Sequence, residues 1–267
     1  GLSNDLYFGE RYEYGRNEVE WLMRDLKLPS SYFKGKQILE VGPGRDLSFA
    51  LIMAGLGALT VGVEKYRPGW ISGWHDDFID VICRRAPEDF PDFNEVPLRH
   101  CQSLGAFDPA VIDFKQVAME DFPADQKERF DIVCSLAVLE HVVSPEIVVK
   151  HIFNATKPGG FGLHGIDFRD HREFTTPHEF LLMSDEAFEA KAEKEGRYWF
   201  GNRLPASGFL RLWQEAGFKN IHHFCNMEID EEYLQDFISR LRPSKSKYRN
   251  RSEEDLRAIS VIYSMQR

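Results

Sequence analysis

The stretch that most constrains this chain is Gln37-Ile38-Leu39-Glu40-Val41-Gly42-Pro43-Gly44-Arg45-Asp46-Leu47-Ser48-Phe49-Ala50. An apolar run suited to a buried strand enters a glycine-rich turn. Helical spacing follows, with Leu47, Ala50, Leu51 and Ala54 on one side. A strand, a tight turn and a helix in that order make a nucleotide-binding unit. Gly42 and Gly44 let the backbone turn sharply and approach a ligand. The next helix aims its first N–H groups at that ligand.

The residues within the turn narrow the choice of ligand. A dinucleotide site wraps a pyrophosphate with three spaced glycines. Here Asp46 stands in the third glycine's place, and Glu40 would repel a second anion. A carboxylate at Glu40 suits a ligand with a cationic end, such as the amino group of S-adenosylmethionine. The second strand reads Leu59-Thr60-Val61-Gly62-Val63 and ends on Glu64. That carboxylate falls about 20 residues past the glycines, where an acid holds ribose hydroxyls.

A chain of 267 residues fits one domain over 1–267, and 43% hydrophobic content supplies its core. The net charge of −10 argues against a nucleic-acid partner, which needs clustered Lys and Arg. Four cysteines are widely spaced with no CxxC pair, which points to a reducing cytoplasm. No apolar run approaches the ~18 residues of a membrane span, and no signal-peptide pattern opens the chain. No membrane partner is expected, and a homodimer is left open.

Strand patterns alternate with helical ones, which predicts an α/β fold with a parallel sheet and helices on both faces. Residues 1–34 are expected to form an N-terminal helical lid or cap, helical over Asn17–Leu28. In that lid Arg16 or Tyr14 would meet a ligand carboxylate. Residues 65–114 form an insertion after the second strand, far longer than an ordinary connection. It shapes the substrate side, with Trp74 and His75 on its wall. Lys115 begins a short strand, Phe130–Cys134 the next, and Phe161–Phe168 a fifth after the turn Lys157-Pro158-Gly159-Gly160. Residues 169–206 form a second substrate-side insertion. Strands over Ile221–Cys225 and Leu256–Met265 suggest an antiparallel closing pair.

Ile38-Leu39-Glu40-Val41-Gly42-Pro43-Gly44, Glu64, Phe130-Asp131-Ile132-Val133, Val138-Leu139-Glu140-His141-Val142 and Lys157-Pro158-Gly159-Gly160 occur in that order. In this the chain resembles the Rossmann-like class I S-adenosylmethionine-dependent methyltransferases. The downstream run His164–His171 with Asn202-Arg203-Leu204-Pro205 looks like those of bacterial polysaccharide and natural-product pathways. The resemblance implies a seven-stranded sheet in the order 3-2-1-4-5-7-6 with strand 7 antiparallel. It implies S-adenosylmethionine as cofactor and S-adenosylhomocysteine as product. Glu40, Gly42, Pro43 and Gly44 would hold the cofactor's amino-acid end and Glu64 its ribose. Met119 would meet adenine, and Ser135 and Leu136 would floor the methionine part. Family members often place an acid before Met119. Here that residue is Ala118, which leaves the adenine amine to Glu120 or Asp121.

Methyl transfer to an aliphatic hydroxyl gains from a positioned base. His141 follows the fourth strand, and His171 follows the fifth with Asp167 near it. A carboxylate beside an imidazole raises its basicity. Arg169, Asn202 and Arg203 suit a polar or anionic acceptor. No metal is expected, because His75, Asp76 and Asp77 lack diagnostic spacing. The expected reaction is S-adenosylmethionine-dependent methylation of a small-molecule acceptor, a sugar or glycan-precursor hydroxyl. The alternatives are another natural-product N- or O-methylation, a protein or nucleic-acid methyltransferase, and a non-catalytic cofactor-binding domain.

Overall fold

A computed structural model describes residues 2–66, 69–196 and 200–267. Its centre is a seven-stranded sheet in the order β3-β2-β1-β4-β5-β7-β6. The strands are β1 (Gln37–Val41), β2 (Leu59–Val63), β3 (Ile112–Lys115), β4 (Phe130–Leu136), β5 (Thr156–Asp167), β6 (Lys219–Glu228) and β7 (Ala258–Gln266). The β3-β2-β1-β4-β5 run pairs in parallel, and β7 runs antiparallel between β5 and β6. The expected order and the antiparallel closing strand are both present.

Strand alternation sends neighbouring residues to opposite faces. On one face Ile38, Ile112, Ile132 and Cys134 pack beneath α1 (Leu2–Asp25), α2 (Ser48–Gly55), α3 (Trp74–Asp89) and α4 (Val96–Leu104). On the other, Leu39, Val41, Val63 and Val133 meet α5 (Pro145–Ala155) and α7 (Ala206–Ala216). A third cluster lies around α6 (Asp185–Glu195), α8 (Glu231–Leu241) and α9 (Glu253–Arg257). It joins Phe180, Leu181, Phe188, Phe200, Phe237 and Leu256.

The N-terminal segment is one helix over Leu2–Asp25, starting well before the expected Asn17. Phe8 and Tyr12 are four apart and both buried, so the aromatic run continues the helical stripe through Val19 and Leu22. Every residue of α2 is buried. A helix apolar all round needs cover on all sides, and α1 supplies the outer layer. At Gly15 an added Cβ would lie 2.6 Å from the backbone of Ser48, so the close approach of α1 to the start of α2 depends on glycine.

Other boundaries shift. β3 precedes the expected Lys115 start, because the chain turns at Val117, whose N–H donates to the Lys115 carbonyl. β5 begins at Thr156, pairs with Phe130, bulges through Pro158–Gly160 and rejoins the ladder at Phe161. The expected turn is a bulge inside the strand, with Gly159 at φ +77°. The basic run after α8 is tied into the fold. Arg242 donates to the Arg249 and Arg251 carbonyls, Lys247 pairs with Asp185, and Arg251 donates to the Arg203 carbonyl.

On the α5/α7 face, Ser135 Oγ and His164 Nδ1 are 2.8 Å apart, and the His164 ring stacks on Trp213 at 4.7 Å. Burial lowers His164 to about 3. Burial also lowers His178 to about 4, against the bond of its Nε2 to the Leu256 carbonyl. Both rings fold neutral, while the unfolded chain takes up protons near pH 6.5. Their stabilisation is complete above that pH and is lost on acidification toward 4. The expected slope is about 1.4 kcal/mol per pH unit for each ring. Urea unfolding between pH 7 and 4.5 should show His164→Gln losing stability less steeply than wild type by one such increment; equal slopes would refute the assignment.

Candidate cofactor and methyl-transfer site

The carboxyl ends of β1, β2, β4 and β5 line one edge of the sheet, the side where open α/β folds bind ligands. β1 ends at Val41, and Gly42 (φ +71°) turns the chain out of the sheet. A Cβ at Gly42 would sit 2.4 Å from Val138 Cγ2, so no other residue fits. Gly44 (φ +68°) faces open space, with nothing within 4 Å of the position a Cβ would take. The Asp46 carboxylate accepts the Ser48 N–H at the entrance to α2.

Glu40 is 5% exposed, and no hydrogen-bond partner reaches its Oε2. Burial holds its carboxyl well above the usual range, and the charges of Glu18 and Asp46 add to that. Glu18 comes from α1 and is itself buried; burial, then Asp46, pushes it up to about 8. Arg11 reaches Asp46 at 3.7 Å. Arg11, Gly15 and Glu18 are one stripe of α1 running over the glycine turn. Tyr14 lies within the electrostatic reach of Glu40 and Glu140 at the same place. Tyr14 was expected only as a partner for a ligand carboxylate and Glu18 was not singled out, although their four-residue spacing was there to read.

The other expected cofactor residues divide. Glu64 is half-buried at the end of β2 and accepts the Tyr66 N–H at 3.4 Å. Met119 is buried in a short 3-10 turn, and His151 Nδ1 bonds its carbonyl at 2.9 Å. Glu120 accepts the Val143 N–H at 2.9 Å and ties that turn to the loop after β4. Leu136 ends β4 beneath Gly165. Two expectations need correction. The Ser135 hydroxyl faces the α5/α7 layer, one register step from the Glu40 face, and is committed to His164. Arg16 turns toward α3 and pairs with Glu13, Glu20 and Asp89, so it does not reach the Glu40 crevice.

After β4, a 3-10 turn over Leu139–His141 carries Glu140 and His141. After β5, Asp167 and His171 return to the same place. His141 and His171 meet edge to face with centroids 4.5 Å apart. His171 Nε2 lies 3.7 Å from Asp167 Oδ2 and 3.8 Å from Glu140 Oε1; His141 Nε2 lies 3.9 Å from Glu140 Oε1. Burial opposes the Asp167 charge, but the His171 imidazole beside it and a two-pronged grip by Arg169 hold its carboxyl far below the usual range. Burial, with Asp167 second, holds Glu140 well above it.

Of the expected acceptor-side residues, Arg169 borders this cluster, its guanidinium 4.5 Å over the half-exposed ring of Phe174, and Asn202 and Arg203 line a small pocket with Glu140, Asp167 and Arg169. Asn202 is a brace: its side chain donates to the Leu139 and Val142 carbonyls, and its N–H to the Glu140 carbonyl. Arg203 is buried against Phe188 and paired with Asp185. Trp74 packs on Phe8 and Phe78, and His75 is enclosed by Trp70, Trp74 and Phe107. Both belong to the core and not to a substrate wall. Apolar periodicity does not distinguish such a core from an aromatic binding wall.

A family model described as a methyltransferase domain matches residues 17–223. This chain belongs to the methyltransferase-domain family. Members of this class I type use S-adenosylmethionine. The chain is 27% identical over 142 residues to a ubiquinone biosynthesis O-methyltransferase of Pseudomonas fluorescens (strain SBW25), covering 53% of this chain and 47% of that one. It is 25% identical over 153 residues to the protein of the same name from Pseudomonas putida (strain KT2440), covering 57% and 51%. The chain spans about half the length of the curated relatives it matches. Haemonchus contortus phosphoethanolamine N-methyltransferase 2, solved with phosphomonomethylethanolamine and S-adenosylhomocysteine, shares the fold. Its TM-score is 0.52 at 14% identity, with 94% of this chain and 52% of that one covered.

The residues of this methyltransferase domain fit the cofactor. A buried acid with an unbonded oxygen and two acids near it attracts an ammonium and repels a diphosphate. Glu18 folds protonated, so in the cofactor-free protein stability is present near pH 4.5 and lost as pH rises toward 8. A cation arriving at Glu40 and Glu18 reverses this by favouring both carboxylates. S-adenosylhomocysteine binding at pH 7 should therefore release up to about one proton. Calorimetry in two buffers of different ionisation enthalpy would measure it. Glu18→Gln should abolish much of the release and weaken binding about tenfold; unchanged affinity and zero release in wild type would refute the clamp.

Proposed function

We propose that this chain methylates a hydroxyl of a small polar molecule, with a sugar or glycan precursor as the first candidate. The observation that carries the reading is the Glu140–His141–His171–Asp167 cluster beside the cofactor crevice. S-adenosylmethionine supplies a methyl group activated on a positively charged sulfur. The chain's residues hold the cofactor, orient the acceptor and take its proton. Glu40, Gly42, Pro43, Gly44 and Glu64 grip the cofactor, with Met119 and Glu120 at the adenine end. The imidazoles of His141 and His171 receive the acceptor's proton. Asp167, held by Arg169, orients His171 and stabilises its charged form. Arg169 and Phe174 face the acceptor, one suited to an anionic group and the other to an apolar surface.

Residues 1–34 cover the cofactor end in this reading, and 65–114 and 169–206 wall the acceptor side, although 67–68 and 197–199 lie outside the described residues. The printed names of the Pseudomonas relatives favour a second reading, O-methylation of another biosynthetic intermediate. The net charge of −10 counts against a nucleic-acid acceptor. No helix among the described residues is long and apolar enough to cross a membrane. Four free cysteines fit a reducing cytoplasm.

Cofactor turnover followed by mass spectrometry against nucleotide sugars, glycans and phenolic intermediates would name the acceptor. With it, His171→Gln and His141→Gln should each lower kcat by about 10²–10⁴ while S-adenosylhomocysteine affinity stays within about twofold. Full activity in both variants would overturn the assignment of the proton acceptor.

A further inference from the structure

Glu140 presents a problem that a proton acceptor alone does not solve. Its side chain is 5% exposed, and both carboxylate oxygens are buried without a hydrogen-bond partner. The backbone N–H groups of Glu140 and Asp167 lie near it but outside hydrogen-bonding geometry. What surrounds it instead is nitrogen. His141 Nε2 and His171 Nε2 lie 3.9 and 3.8 Å from Oε1, and His171 Nε2 has no hydrogen-bond partner either. One donor atom from each of the three residues falls within 4.8 Å of the others.

We propose that Glu140, His141 and His171 form a binding site for a divalent first-row transition cation, Zn²⁺ or Mn²⁺ in class. One carboxylate with two imidazoles is a donor set for such ions, and too nitrogen-rich for Ca²⁺ or Mg²⁺. An ion about 2.1 Å from each donor needs the donors roughly 3–3.5 Å apart, so the two imidazoles close on Glu140 by a few tenths of an ångström and on each other by up to about 1.3 Å from the 4.8 Å limit of the group. The loops that carry the ligands are independently braced. Asn202 fixes the carbonyls on both sides of the Glu140 turn, and Arg169 fixes Asp167 at the end of β5, four residues before His171. Asp167 lies outside the three-residue group; its Oδ2, 3.7 Å from His171 Nε2, is held by Arg169 beside the site. His141 and His171 keep some exposure, 11% and 16%, so the site opens toward the crevice on one side. The alternative His75–Asp77 cluster does not form. His75 lies in its aromatic enclosure, and Asp76 caps α3 by accepting the Gly73 N–H.

The proposal departs from the expectation of a metal-free site and rests on the reading that the acceptor loses its proton at this cluster. Without the ion the imidazoles take that proton. With it, the acceptor oxygen binds the cation and releases its proton to solvent, because a bound divalent ion lowers the pKa of an oxygen ligand. The ion thereby selects acceptors that present a hydroxyl able to enter a metal shell.

The test is metal binding to the chelator-stripped full chain, with Zn²⁺, Mn²⁺ and Co²⁺ each as the sole probe. One equivalent per chain is expected, with Co²⁺ giving visible absorption bands. Glu140→Gln and His171→Gln should each weaken uptake at least tenfold, with thermal melts and S-adenosylhomocysteine affinity confirming the fold. No uptake by folded wild type, or uptake unchanged in both variants, overturns the site. If uptake fails but His171→Gln still loses turnover, the ion is refuted and the imidazole reading stands. If the ion binds as expected while the chain binds no S-adenosylhomocysteine, the site stands and methyl transfer falls.

Discussion

An acid buried at the carboxyl end of β1, with one oxygen lacking a hydrogen-bond partner, sets the terms for everything around it. A buried carboxylate costs several kcal/mol unless something offsets its charge. In this chain the surroundings make the cost larger, because Glu18 and Asp46 add negative potential at Glu40. Such a site is poor at holding the protein together and well suited to a ligand that arrives with positive charge. The glycines beside it, the close approach of α1 at Gly15 and the all-apolar α2 hold the acid where water cannot relieve it.

A second buried acid repeats the arrangement at the other end of the crevice. Glu140 stands to its two imidazoles as Glu40 stands to an ammonium: an anion out of water, with cationic or metal-ligating chemistry aimed at it. Tyr14 feels both acids from α1, so one helix overlooks Glu40 and Glu140 alike.

Much of this was legible in the sequence because backbone requirements leave strong local marks. Gly42 and Gly44, the strand runs of β1 and β4, and the Ala216-Gly217 helix stop each reflect a short-range constraint, and the sheet order followed from the family they resemble. His141, His171 and Asp167 were readable as a group because they end adjacent parallel strands. The misreadings share a different cause. Trp74 and His75 have the composition of binding residues, but their roles depend on which way each side chain turns, and only packing decides that. Ser135 failed by one step of strand alternation, and Arg16 by one face of a helix. Glu18 escaped notice because a charged residue on an amphipathic helix reads as solvent-facing until a partner layer covers it.

The enclosure of α2 bears on how ligands come and go. Because α1 is the outer wall of a helix that has no polar face, it cannot swing aside like a hinged door without wetting that whole surface. Ligand entry that leaves α1 in place therefore exposes less apolar surface than entry that lifts it.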